Sequence, residues 1–578
     1  MRLLVLVITW DLIKKKNDFT VLFLCSSWCC RYVFFGDVYM DVAEALVKLL
    51  ENEGVKFIFG VPGEQIAGFY KALSKSNIKH TLCRNEQTAA IAGEVYSRTS
   101  GEFGVCISTA GPGALNLMMG VATAFKDSVP LLVITADVPT SLKGKNTIQD
   151  IDLPSIFKPI TLRNYNPKNG TAAILNLKEA IEILKKEPRG PIHLNLPKDI
   201  LSDKTIENKK IIHNPNYDYS NLDLAIQKLK SSKKPLIILG EGVRRSKSTD
   251  IVKKLIKKYK IPTLHTYHAN GILDGEDSLN FGIVGLRGSE TSTTLFKNSD
   301  LVLVLGATLN ERTLNLDKEE VDKIDEYIGR FNDKITHVNI DKSVLKGKIK
   351  INGDIKEFLN RIKTEDIFSE IDDDWFTNNF KNKEEDVKLE IAIDDEDTLK
   401  PQNAVKAILD AHRDSLIVND AGSHTSWVLI FHNPSEKGRL INSGGLIPMG
   451  YGIPGAIGAS IANTGKEVIT IMGDGDIQMN IQDLATISEH NLPITIFVLN
   501  NNQLGIIRQW EECFYNMEPY AVDLKNPDFI AISKGYGIEA EKVSTYDGLV
   551  SAIKKAKLLK KPYLIEIAVS RENIPLPA

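Results

Sequence analysis

Val468-Ile469-Thr470-Ile471-Met472-Gly473-Asp474-Gly475-Asp476 is an apolar run that ends in two glycines and two carboxylates. A short run rich in β-branched residues predicts a buried strand. The glycines predict a tight turn into the helical stretch 477–490. The next apolar run, 493–499, predicts a second strand and closes on Asn500-Asn501. A strand–helix–strand crossover lays its strands parallel, so both C-terminal ends emerge on one edge of the sheet. Asp474 and Asn501, 27 residues apart in sequence, are therefore expected to face each other. A carboxylate and an amide carbonyl are hard oxygen ligands suited to magnesium. Gly473 and Gly475 let backbone amides approach an anion at the start of the following helix. Together these parts describe a site for a magnesium-bound diphosphate. A plain Gly/Asp turn followed by an Asn-Asn loop is the alternative, and the paired spacing across one crossover argues against it.

The same alternation of apolar runs and helix-like stretches continues on both sides. One unit holds strands at 415–418, 467–472, 494–499 and 563–567. Another, from Met40 to about Leu201, holds apolar runs at 57–59, 105–108, 131–135 and 192–196. A middle unit begins with a helix at 222–229 and a strand at 235–239, and includes the run 301–305. The expected fold class is α/β, three doubly wound parallel-sheet domains at 40–205, 220–363 and 400–578, with 364–399 as an acidic, solvated linker. No period of 20–50 residues marks a solenoid.

Composition bounds the function. The 578 residues are 43% hydrophobic and 25% charged, enough apolar side chains for several cores and too many for a disordered chain. With 71 basic and 74 acidic residues, the net charge of −3 gives no electrostatic case for nucleic acid or an anionic membrane as partner. Cys25, Cys29 and Cys30 lack a second half with zinc spacing, and Cys83, Cys106 and Cys513 stand alone. That usage fits unpaired thiols of a reducing compartment, the cytoplasm by default. Residues 1–39 differ in character, with two apolar runs separated by Lys14-Lys15-Lys16. They read as a non-native or disordered extension, with a membrane anchor as the alternative, and Met40 reads as the true start.

No Gly-x-x-x-x-Gly-Lys-Ser/Thr loop is present, and Gly240-Glu241-Gly242-Val243-Arg244-Arg245 lacks the last glycine of a dinucleotide fingerprint. By contrast, Gly473-Asp474-Gly475, 24 intervening residues and Asn500-Asn501 resemble the thiamine-diphosphate motif. With Phe59-Gly60-Val61-Pro62-Gly63, Cys83-Arg84-Asn85-Glu86-Gln87, Thr109-Ala110-Gly111-Pro112-Gly113-Ala114 and Gly505-Ile506-Ile507-Arg508-Gln509-Trp510, the chain is similar to acetohydroxyacid (acetolactate) synthases from Met40 onward. The resemblance implies pyrimidine- and diphosphate-binding domains flanking a central Rossmann-like domain. It further implies thiamine diphosphate and Mg as cofactors and a place in branched-chain amino acid biosynthesis. Glu86 matches the glutamate that protonates the aminopyrimidine nitrogen, a carboxyl expected to be desolvated with a raised pKa. Met449 matches the apolar residue beneath the bent cofactor, and Gln149 a glutamine near the reacting centre. Gly422, Ser423 and His424 match the loop that contacts the diphosphate, beside Gly473, Gly475 and Asp476. Asp474, Asn501 and the backbone carbonyl of Gln503 are the implied metal ligands. Because Glu86 and Asp474 come from different subunits in this superfamily, a homodimer or homotetramer is implied, and a regulatory small subunit is admitted.

Several positions depart from the synthase pattern. Glu64-Gln65 stands where synthases carry Gly-Ala, Ile148 replaces a phenylalanine and Asp150 a glutamate. Thr308 replaces an arginine that would grip the acceptor's carboxylate, a charge that Arg287 is the candidate to replace. Asp476 replaces a serine, and its negative charge beside a diphosphate should weaken cofactor binding unless the side chain turns away. Trp510, which matches the synthase residue that shapes the acceptor pocket, is kept. The flavin signature of the middle domain is degenerate, so FAD is admitted rather than required. The expected reaction is decarboxylation of a small 2-oxo acid, pyruvate first, and transfer of the remaining carbon unit to a second 2-oxo acid. A simple 2-oxo-acid decarboxylase, a pyruvate oxidase and an inactive scaffold paralogue are the alternatives.

Overall fold

The computed structural model describes residues 20–26, 29–35, 40–186, 189–205, 217–285, 288–314, 324–362, 366–385 and 399–574. Three six-stranded sheets dominate, and every strand pairing in them is parallel. The first runs Lys79–Leu82, Phe57–Gly60, Gly104–Ser108, Leu131–Asp137, Pro191–Pro197, Arg163–Tyr165. The third runs Arg439–Ile441, Leu416–Asn419, Val468–Gly473, Ile494–Asn500, Tyr563–Ala568, Glu539–Val543. Numbered by chain order within each sheet, both read 2-1-3-4-6-5, whereas the central sheet reads 3-2-1-4-5-6, the dinucleotide-binding order. The runs of Val, Ile and Leu form strands because helices cover both faces. Leu131–Asp137 and Ile494–Asn500 are buried at every position, the pattern of a central parallel strand.

The first and third domains share one apolar core. Helix Glu86–Ser100 lies against helix Gly452–Ala462, joining Ala89, Ala92 and Val95 to Ile453, Ala456 and Ile457. The approach is close enough that a Cβ on Gly458 would stand 2.1 Å from the Ala92 carbonyl oxygen. Arg98, at the end of the first helix, knits all three domains. It pairs with buried Glu94 and with Asp127 (2.5 Å), meets His268 Nδ1 (3.2 Å) and donates to the Asn442 carbonyl (3.2 Å). These partners belong to the first, central and third units, so the charge cluster is desolvated but fully paired.

Two expectations change. The stretch 477–490 is not one helix. It divides into a short turn Asp474–Ile477, a 3-10 turn Ile481–Asp483 and helix Leu484–Glu489. The break arises because Asn480 turns its side chain to the Gly450 carbonyl (2.7 Å), while Asp483 accepts from Arg84 N–H (2.8 Å) and Thr88 Oγ1 (2.6 Å). Within the stretch read as an acidic linker, Asp373–Glu385 is a helix. Its Trp375 is buried in the central domain and donates to the Pro235 carbonyl (2.9 Å). In the N-terminal extension, Thr20–Ser26 and Cys29–Phe35 pair with each other antiparallel and with none of the three large sheets. Among the described residues no helix is long and apolar enough to cross a membrane.

Candidate active site

A cleft of about 600 Å³ opens in the third domain at the C-terminal ends of Leu416–Asn419 and Val468–Gly473. These are strands 1 and 3 of the order 2-1-3-4-6-5, where the direction of winding reverses and a crevice must open. The structure brings Gly422, Ser423, His424, Met449, Gly473, Asp474, Gly475, Asp476, Asn501, Gln503 and Trp510 together around it. Met449 lies over Gly475, whose hypothetical Cβ would stand 3.2 Å from the methionine Cε. Trp510 is 44% exposed at the rim.

The helix expected to cradle an anion, beginning at Asp474, is only four residues long. Two longer helices begin at the cleft instead, Ser423–Phe431 and Gly505–Tyr515. A Cβ on Gly505 would stand 2.8 Å from Ser423 Oγ and 3.2 Å from Asn501 Nδ2, so glycine there keeps a polar corner open. Around it lie buried groups without hydrogen-bond partners: His424 Nε2 and both amide atoms of Gln503, a residue only 3% exposed. Burial depresses the His424 pKa to about 4, so its ring is neutral.

Three carboxylates stand behind the cleft. Burial raises the Asp474 pKa, opposed by a bond from Asn526 Nδ2 (2.6 Å). Burial raises Asp420 to about 6, although it accepts from the backbone N–H groups of Ala421 (2.8 Å), Gly450 (3.0 Å) and Gly452 (2.6 Å). Asp476 is pushed well above the usual carboxylate range by burial and by neighbouring Asp420, and its Oδ2 accepts from Gly473 N–H (2.8 Å). The full extra charge foreseen at Asp476 is thus resisted by its surroundings.

The first-domain candidates form a separate group. Glu86 is buried at the start of its helix, accepts from Asn116 Nδ2 (2.9 Å), and sits so close to Gly113 that a Cβ there would meet Glu86 Oε1 at 2.9 Å. Gln149 adopts a left-handed φ of 65° against Gly111. Gln65 is buried with Oε1 unpartnered, whereas Ile148 is 84% exposed. None of these four lines the large cleft within one chain. Thr308 lines a second cleft, of about 400 Å³, where Gly242, Gly306 and Asp341 of the central domain face Asp127 and Arg189 of the first and Gly444 of the third. Arg287 lies outside the described residues. Sequence reasoning missed Asp420 and Asn526. Asp420 follows its strand as Asp474 follows the next, so the same strand-end rule would have found it; Asn526 has no such signal.

These features define a thiamine pyrophosphate enzyme, and the chain belongs to that family. It matches the N-terminal TPP-binding, central and C-terminal TPP-binding domains of thiamine pyrophosphate enzymes over residues 40–156, 222–362 and 420–567. Within the family it is acetolactate synthase-like. It is 34% identical to the "Probable acetolactate synthase large subunit" of Methanocaldococcus jannaschii, covering 93% of each chain. It is 32% identical to the acetolactate synthase large subunit of Lactococcus lactis subsp. lactis, again over 93% of both chains. The chloroplastic acetolactate synthase of Arabidopsis thaliana is 31% identical over 93% of this chain and 82% of its own.

Proposed function

We propose that the third-domain cleft holds thiamine diphosphate with Mg²⁺, and that the protein decarboxylates a 2-oxo acid, pyruvate first, and joins the remaining unit to a second 2-oxo acid. The observation that carries this reading is the set of buried, partnerless polar atoms at the cleft, His424 Nε2 and the Gln503 amide, beside the oxygen donors Asp474 and Asn501. Buried polar groups are seldom left without partners, and a diphosphate and its cation would satisfy them. Asp474, Asn501 and the backbone carbonyl of Gln503 would hold the cation; Gly422, Ser423 and His424 would face the phosphates. When bound, thiamine diphosphate supplies a carbon nucleophile and the electron sink that lets carbon dioxide leave.

Met449, lying over Gly475, would press on the bound group from the floor of the cleft. Glu86, its orientation fixed by Asn116, would exchange a proton with the aminopyrimidine nitrogen. Because Glu86 does not line the cleft of its own chain, a second copy must bring it there, which supports a homodimer. Gln149, packed against Gly111, and buried Gln65 would approach from the same partner. Trp510 at the rim shapes the space for the second 2-oxo acid.

The central cleft, where Gly240 and Gly242 press against the Gly306 backbone, suits a dinucleotide such as FAD, and no step depends on it. The relatives' designation as large subunits supports a smaller partner subunit. Incubation with thiamine diphosphate, Mg²⁺ and pyruvate is the test. Acetolactate formed without oxygen uptake supports the reading; acetaldehyde or peroxide as the product rejects it in favour of a decarboxylase or an oxidase.

A further inference from the structure

We infer that Asn526 is a positioning residue for the divalent cation, an inference that rests on the metal site proposed above. Its side-chain amide stands before three oxygen acceptors: Asp474 Oδ2 at 2.6 Å, Asn500 Oδ1 at 3.0 Å and Asn502 Oδ1 at 3.2 Å. An amide NH₂ has two hydrogens, so three acceptors over-subscribe it. The shortest bond goes to the carboxylate, where charge assistance makes it strongest. The orientation of the amide is fixed in turn, because Asn526 Oδ1 accepts from Gln478 Nε2 (3.0 Å), a group that also donates to the Asp474 carbonyl (3.0 Å).

The consequence is a division of labour within one carboxylate. Asn526 binds Oδ2 of Asp474 and leaves Oδ1 as the oxygen to meet a cation. The same amide touches the Asn-Asn turn on both sides of Asn501, so it spaces the two proposed ligands as well as orienting one. Asn526 comes from the loop before helix Phe529–Gly535, an element separate from both strand ends. Partners of this kind behind a metal ligand typically change affinity by roughly 10–100-fold when removed.

The test is calorimetric titration of Mg²⁺ into the full chain with thiamine diphosphate present, with the melting temperature of the metal-free protein as the control for folding. Asn526→Ala should raise the Mg²⁺ Kd roughly 10–100-fold. Asn526→Asp keeps the shape but replaces the donor with an acceptor beside Asp474, and should weaken binding at least as much, which a role in shape alone would not produce. Gln478→Ala, which frees the amide to turn, should weaken it less and carries the test should the Asn526 variants fail to fold. Wild-type affinity in Asn526→Ala or in Asn526→Asp overturns the inference. Asp474→Ala separates the two levels. Loss of Mg²⁺ binding there with none in Asn526→Ala removes only this inference; retained binding in Asp474→Ala removes the metal-site reading and this inference with it.

Discussion

The first and third domains wind their strands in the same order, 2-1-3-4-6-5, yet their switch points differ. In the first domain the ends of strands 1 and 3 are packed shut. A Cβ on Gly60 would stand 2.4 Å from the Ile107 carbonyl oxygen, and one on Gly63 would stand 2.4 Å from Thr109 Cβ. In the third domain the same two ends part around a cleft of about 600 Å³. The segment after strand 2 differs too: it leads to Glu86 in the first sheet and to cleft-lining Asn442 and Ser443 in the third. Topology makes a crevice available, and the loop side chains decide whether it is filled or left open for a ligand. On the proposed reading, one fold would serve twice, once to present an acid and once to hold an anion and its cation.

The sharpest way to break that division is Asp474→Ala, which should abolish saturable binding of Mg²⁺ and thiamine diphosphate together in a calorimetric titration. The complementary change in the first domain is Glu86→Gln. It should leave cofactor affinity nearly intact while turnover falls by roughly 100-fold or more, the scale of a lost proton transfer. If Glu86→Gln abolished binding, or Asp474→Ala left it intact, the roles assigned to the two domains would be exchanged or shared. A mixture of the two inactive variants sharpens the point. If the two domains of one site come from different copies, mixing should restore part of the activity, measured as acetolactate formed.

The three-layered α/β architecture was legible because parallel strands buried on both faces leave unbroken runs such as Leu301–Leu305 and Ile494–Asn500. The pairing of Asp474 with Asn501 at one cleft was legible for a related reason, since a crossover fixes where strand ends emerge. The failures share a cause as well. The stretch 477–490 has helical residues, but Asn480 and Asp483 are committed to bonds with Gly450 and with Thr88 of another domain. Local propensity does not record such tertiary bonds. Asn526 was invisible because its loop has no periodicity, and its importance comes only from the three oxygens it meets in space. Thr308, which stands where the synthase pattern has an acceptor-gripping arginine, lines the second cleft within one chain.

The junction of the two domains gives a third, smaller effect. Gly458→Ala adds a Cβ 2.1 Å from the Ala92 backbone oxygen, which cannot rotate away as a side chain would. Alanine should gain up to about 1 kcal/mol of helix propensity, but overpacking of this kind typically costs about 1–3 kcal/mol. The net change should be destabilising by roughly 1–2 kcal/mol in urea unfolding. Gly535→Ala is the control, because a Cβ there meets nothing within 4 Å. Equal stability in the two variants would show that the helices Glu86–Ser100 and Gly452–Ala462 do not hold the domains together as tightly as their spacing indicates.

The smallest effect compares one histidine in each domain. His424 at the open cleft and His193 in the closed first domain are both depressed by burial, to about 4 and about 3. His193 is satisfied, with Thr135 Oγ1 at 2.7 Å and Asn164 Oδ1 at 3.1 Å, whereas His424 keeps Nε2 unpartnered. A histidine depressed on folding binds fewer protons in the native than in the unfolded state. Stability is therefore full above the ordinary pKa of about 6.5 and is lost as pH falls toward the folded value. By pH 5.5 each such group should remove about 1 kcal/mol. His424→Gln should cancel the share due to this site and leave that of His193, so the cofactor-free variant should lose less stability than wild type between pH 7.5 and 5.5. Asp420, raised to about 6, contributes with the opposite sign in both proteins and cancels in the difference. Urea unfolding at the two pH values measures it. Identical pH dependence in variant and wild type would mean that His424 is not held neutral, and the contrast between a filled and an open switch point would lose its electrostatic half.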